Sequence, residues 1–304
     1  MNHRLELAVH DAVSTTNKVT QLRMFIDTLY SYYSRSPQKN CRLLQSASES
    51  LCVELHKVGK IFDVRWLASS YVSVYAILKS ARALVCQLEN ANDDRSSTAK
   101  DRAKAGGMRK KLHSWTFLAE LALIKDILSV LKDLSLYLQS RSAAVFDVAG
   151  RLDTAIRTLT AMKSVDGLVL SALNNQVAAD GCYRGISVGR SSNDVQTFMQ
   201  MRCQFIQALV DNSIARFPDQ QLQEAGAVLN PVSRPDDEVE RALFGDRQVT
   251  HLAQLCGVDS RESLDDFRQY KNNTKVIGQA LTMLMQRASC YLCHTRSASE
   301  VSRA

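Results

Sequence analysis

Turn residues are scarce in this chain. Its 304 residues include only 12 glycines and 4 prolines, too few breaks for a many-stranded sandwich, so long helices are expected. No run of about 18 apolar residues occurs, and no membrane span is expected. The opening Met1-Asn2-His3-Arg4-Leu5-Glu6 lacks a signal-peptide apolar core, which predicts an intracellular protein. A Gly-rich phosphate loop, a Gly-x-Ser-x-Gly elbow and a His-Glu-x-x-His pair are all missing. None of His3, His10, His56, His113, His251 and His294 has a partner at ligand spacing on a shared helix face. The eight cysteines, scattered through apolar patterns, read as reduced small hydrophobic residues. Cys290-Tyr291-Leu292-Cys293-His294 has the spacing of a c-type haem attachment. Haem needs an export route and structural zinc needs four ligands, and nothing here supplies either, so the run reads as a helix end. No metal and no small-molecule cofactor is expected.

What the chain does have is helical periodicity. Hydrophobic content of 45% and charged content of 23% give a globular composition with ample core. One helix or two are expected over residues 4–35, punctuated by Pro37 and Asn40. A second runs through Leu43, Leu44, Ala47, Leu51 and Leu55 to a C-terminal Gly59. Asp63 stands where an N-cap belongs, ahead of a long amphipathic pattern from Trp66 to Leu88. Ser114 caps an apolar stripe running to about Gln139, and the next helix ends at Gly167. Leu168-Val169-Leu170 is the best candidate strand. Asp194 opens a helix that Pro218 stops, and shorter helices follow, one with a capping box at Asp259-x-x-Glu262. Asn230-Pro231 and Arg234-Pro235 mark an exposed connection. The expected organisation is a main helical domain over 1–217, a linker over 218–235 and a C-terminal helical segment over 236–304.

Charge is the other positive feature. The net charge of +7 permits contact with nucleic acid without demanding it. From Arg95 to Lys111, Arg95, Lys100, Arg102, Lys104, Arg109, Lys110 and Lys111 face only Asp101. With no apolar period near 91–113, this is expected to be a basic, solvated loop. The sharper alternative is a phosphate-contacting arm.

The run Asp63-Val64-Arg65-Trp66-Leu67-Ala68-Ser69-Ser70 resembles the Arg-Trp motif that opens the helical insertion domain of hAT-superfamily transposases. More narrowly, it is similar to the transposase-like zinc-finger and SUMO-ligase-like host proteins of vertebrates. His3-Arg4-Leu5-Glu6-Leu7-Ala8, Tyr30 to Pro37, Leu134 to Gln139, Gln204 to Asn212 and Phe267 to Lys271 resemble further family segments in the same order. The resemblance implies a mainly α fold: the insertion domain of a hAT transposase, with at most a remnant of the ribonuclease-H-like core. In that family two Asp and one Glu hold paired metal ions for DNA strand transfer. The first two acids precede a Cys-x-x-His run whose His would be His3. Glu300 is only a doubtful vestige of the third, because Val301 stands where the family has Arg. The expected protein is therefore a catalytically inactive, nuclear binding or scaffold protein.

Its expected partners are DNA, touched weakly and non-specifically, and other proteins or further copies of itself. Arg65 and Trp66 take from the family a place near phosphate and an unpaired base, an aromatic stacking contact worth about 1–3 kcal/mol. Without the rest of the core, Trp66 is expected to be mainly structural. Two rival readings are an accessory part of a SUMO-ligase-like protein and a non-functional transposase fragment.

Overall fold

The computed structural model describes residues 2–34, 42–52, 54–61, 66–139, 145–217 and 225–294. The chain is mainly α. Its first helices are α1 (Asn2–Thr15), α2 (Asn17–Ser34), α3 (Arg42–Ser50), α4 (Trp66–Asp93), α5 (Ala99–Leu112) and α6 (Trp115–Gln139). Then come α7 (Val145–Ala161), α8 (Leu168–Asp180) and α9 (Ser192–Arg216). The last are α10 (Glu238–Leu243), α11 (Asp246–Cys256), α12 (Ser260–Asn272) and α13 (Gln279–His294). Among the described residues, the sheet is a single hairpin of β1 (Cys182–Tyr183) and β2 (Ile186–Ser187). Gly185 turns it with φ +77°, a conformation that favours glycine. No described helix is long and apolar enough to cross a membrane.

Two compact units emerge from the contacts. One gathers residues 6–132 and 158–213; the other gathers 1–5, 133–157 and 214–304. The first is built around α6, where every residue from Phe117 to Leu128 is buried. A one-sided stripe is expected there; this stretch is instead enclosed on all sides, with Glu120, Lys125 and Asp126 buried among the apolar residues. α5 and α3 both pack on α4. In the other unit α11, α12 and α13 form a three-helix cluster around Val249, Leu252, Phe267, Leu281 and Leu284.

Carboxylates from neighbouring helices cap several helix starts. The Leu67 N–H, in the first turn of α4, donates to Glu6 Oε2 on α1 at 3.2 Å. The Val169 and Leu170 N–H groups of α8 both donate to Asp126 on α6 at 3.0 Å. Gly167 stands at the α8 N-cap because a Cβ there would lie 2.4 Å from the Asp126 carboxyl carbon. α13 repeats the arrangement: Leu281 N–H donates to Asp266 on α12, and a Cβ at Gly278 would collide with that carboxyl. Each supplies acceptors to N–H groups that the helix itself cannot satisfy.

Four sequence expectations need correction. Residues 91–113 are not a loop: after Thr98, whose hydroxyl accepts from Asp101 N–H, residues 99–112 form α5. Its buried side chains are Ala105, Met108 and Leu112, a sparse helical stripe that suffices because Gly106 lies close against Asn92 of α4. Leu168-Val169-Leu170 is the first turn of α8 rather than a strand, because Asp126 caps it from another helix. Gly167 therefore begins α8 instead of ending α7. The helix expected to reach Gly59 stops at Ser50, where Cys52 adopts φ +51°. The chain then runs extended along α4, with His56 N–H donating to Ser80 Oγ and Ser73 Oγ donating to the Gly59 carbonyl. Pro37, Asn40, Asp63 and Pro218 lie outside the described residues.

Candidate nucleic-acid interface

α5 is an unusual helix because charges outnumber apolar residues along it. Thr98 and Asp101 close its first turn, with the Thr98 hydroxyl donating to Asp101 Oδ2 at 2.7 Å. Arg109, Lys110 and Lys111 occupy the last turn, where cations oppose the negative end of the helix dipole. With Ala105, Met108 and Leu112 turned inward, the cations fall on the remaining faces. Lys100, Lys104 and Lys111, at i, i+4 and i+11, share one side; Arg102 and Arg109, at i and i+7, share another. Lys110 lies opposite the buried stripe. Arg95 is exposed in the turn that precedes the helix. Arg102 is partly occupied, its guanidinium donating to the Ser97 carbonyl. Among the described residues none of these seven cations forms an ion pair.

Beside the first face runs a groove between α2 and α5 of about 370 Å³, lined by Gln21, Met24, Phe25, Thr28, Ala103, Lys104, Gly107, Met108 and Lys111. The Lys111 ammonium lies 5.7 Å from the Phe25 ring centre and 5.9 Å from that of Phe117, and Lys104 lies 5.8 Å from Tyr32. These cation–π contacts hold the side chains over apolar surface. Near the same end sits Glu120 on α6, only 7% exposed. Burial pushes its carboxyl up to about 7, with Lys18 and Lys111 pulling the other way. Sequence reasoning missed both Glu120 and Lys18. The available signal was a lone acid inside Phe117-Leu118-Ala119-Glu120-Leu121-Ala122, an apolar run with no room for a solvated face.

Trp66 belongs elsewhere. It opens α4 at 3% exposure, and its indole N–H has no hydrogen-bond partner among the described residues. A ring buried to that degree offers no face for a base. Arg65 and Glu300 lie outside the described residues. Tyr71, one turn further along, carries the Lys125 ammonium 3.4 Å from its ring centre and that of Lys132 at 4.3 Å. The Lys125 hydrogen bond holds the Tyr71 hydroxyl below its ordinary pKa.

Phe267-Arg268-Gln269-Tyr270-Lys271 also proves structural. Phe267, Tyr270 and Lys271 are buried. The Lys271 ammonium donates to the Ala242 and Phe244 carbonyls and to Asp246 Oδ1 at 2.7 Å, while Arg268 donates to Asp246 Oδ2. Burial raises the Asp246 carboxyl, but the Lys271 and Arg268 hydrogen bonds outweigh it and hold the group below the ordinary aspartate value. Cys290, Cys293 and His294 end α13, and their side chains lie outside the described residues. Among the described residues no group of three or more His, Cys, Asp and Glu side chains could hold a metal ion.

No protein-family model matches the chain. No solved structure matches it either.

Proposed function

We propose that the chain is a non-catalytic, hAT-transposase-derived binding protein of the nucleus, touching DNA weakly and without sequence preference through α5. The observation that carries the DNA contact is the gathering, on and just before one packed helix, of seven cations that form no ion pair among the described residues. A helix pinned by Ala105, Met108 and Leu112 presents its charges with less entropy to lose than a loop would. Lysine and arginine contacts to phosphate release condensed counterions and read no bases, so the affinity is sequence-independent and falls as salt rises. The buried Trp66 leaves base stacking out of the reading. The transposase descent rests on the ordered motifs around Arg65 and Trp66.

Fluorescence anisotropy of a labelled DNA duplex, titrated at several salt concentrations, tests the contact. Binding at low salt should weaken steadily as salt is added, and Lys100→Gln with Lys110→Gln should flatten the slope. A slope that both substitutions leave unchanged would remove α5 from the interface. Robust Mg²⁺- or Mn²⁺-dependent nicking of a DNA hairpin would overturn the non-catalytic reading.

A further inference from the structure

The segment around α10 leaves three large aliphatic side chains almost bare: Val232 at 89%, Val239 at 80% and Leu243 at 77% exposure. Val239 and Leu243 are four residues apart, so they stand on one face of the helix. Acids surround them. Asp237 caps its own helix by accepting from the Val239 and Glu240 N–H groups. Asp236, Glu238 and Glu240 are exposed and form no ion pair among the described residues. The two arginines nearby are already engaged: Arg241 donates to the Pro235 and Asp236 carbonyls, and Arg234 lies 4.4 Å from the Tyr270 ring centre. The result is an apolar ridge flanked by negative charge. Val239 and Leu243, side by side and bare on one helix face, give a second surface apolar groups to bury and acids to pair with.

The groove between α2 and α5 has the complementary character. Met24, 63% exposed, with Phe25 and Met108 forms an apolar lining, and Gly107 adds no side chain to fill it. Lys104 and Lys111 supply positive charge along it. Its volume of about 370 Å³ suits a few aliphatic side chains rather than a larger ligand.

We propose that the α10 ridge of one copy docks into the α2–α5 groove of a second copy. Val239 and Leu243 enter the groove, and the flanking acids face Lys104 and Lys111. Ridge and groove are different surfaces, so each contact pairs unlike patches: made twice, reciprocally, it closes a two-fold dimer, and made once per copy it runs head-to-tail into a ring or a chain. The ridge is short and the contact correspondingly weak, so assembly appears only at high protein concentration. The inference goes beyond the DNA contact and shares only Lys104 and Lys111 with it.

Sedimentation velocity of the full chain, from low micromolar to near-millimolar concentration, reads the assembly directly. The wild type should gain mass with concentration, and added salt should reduce the gain. V239S/L243S damages only the ridge and M24E only the groove, and each alone should weaken association at least several-fold. Mixed together, the two variants retain one intact ridge and one intact groove and should form a 1:1 complex that stops there. E238K/E240K mixed with K104E/K111E should likewise associate, while each pair alone does not. All substituted residues lie at the surface or are part-exposed, and circular dichroism checks that each variant keeps its helices. A wild type that remains monomeric throughout overturns the proposal, as does association that neither variant weakens or a mixture that fails to assemble. None of these readings uses DNA, so they stand or fall separately from the duplex-binding test.

Discussion

Glu120 sits on α6 between Ala119 and Leu121, both buried, and water reaches little of its carboxyl. Its proton affinity is raised from 4.5 to about 7, chiefly by that burial. Below pH 4.5 the group is protonated whether the chain is folded or not, and its contribution to stability is complete. As pH rises from 4.5 through 7, the folded chain holds a proton that the unfolded chain has released, and that contribution is lost. A shift of this size corresponds to about 3 kcal/mol as an upper bound. Glu120→Gln should therefore resist urea better than wild type at pH 8 and match it near pH 4. Lower stability of the variant at pH 8 would mean that Lys18 and Lys111 hold the carboxylate as a favourable pair. The opposite sign holds at Asp246, whose carboxyl is depressed. Its contribution is present above the ordinary aspartate value and disappears as pH falls through its folded value. Asp246→Ala leaves the buried Lys271 ammonium without its carboxylate, a change that costs about 3–5 kcal/mol where buried pairs are broken. A drop in the urea midpoint of less than half that amount would show that the Ala242 and Phe244 carbonyls suffice for the ammonium.

At the level of helices, the caps provided from elsewhere in the fold make separable predictions. Asp126→Ala removes the acceptors for Val169 and Leu170 N–H and should cost about 1–2 kcal/mol, read as a lower denaturation midpoint. α5 contains two adjacent glycines in different surroundings. A Cβ at Gly107 meets nothing within 4 Å, so Gly107→Ala should stabilise the helix by about 1 kcal/mol. A Cβ at Gly106 would lie 2.5 Å from Asn92 Oδ1, so Gly106→Ala should gain less or lose outright. Equal gains at both sites would show that α5 does not rest on α4 through Gly106. The start of α12 was legible because apolar period and local cap agree there, Asp259 accepting from the Arg261 and Glu262 N–H groups as its sequence spacing suggests; α4 and α6 were legible from their apolar period. α5 and the start of α8 were not legible. The first buries only three side chains among many charges, and the second is capped by a residue 43 positions earlier in the chain.

For the whole molecule, the net charge of +7 sets a weak overall attraction to polyanions, and the placement of the charge decides its use. If α5 makes several phosphate contacts, log K should fall with log salt by about 0.9 for each contact. Neutralising Lys100 and Lys110 together should reduce the slope by about 2, whereas removing Lys271, buried in the three-helix cluster, should not change it in a variant that stays folded. A slope that depends equally on cations throughout the chain would mean that net charge acts without a defined surface.

Composition and periodicity by themselves determined a helical protein, because few glycines and prolines leave few turns and the apolar residues recur with helical spacing. They also determined where positive charge concentrates, since charge is read directly from residue type. Only the tertiary structure decided that the basic stretch is a helix and that Glu120 is enclosed. Each depends on which surfaces meet across long separations in sequence, and a helical period reports spacing without naming the neighbour.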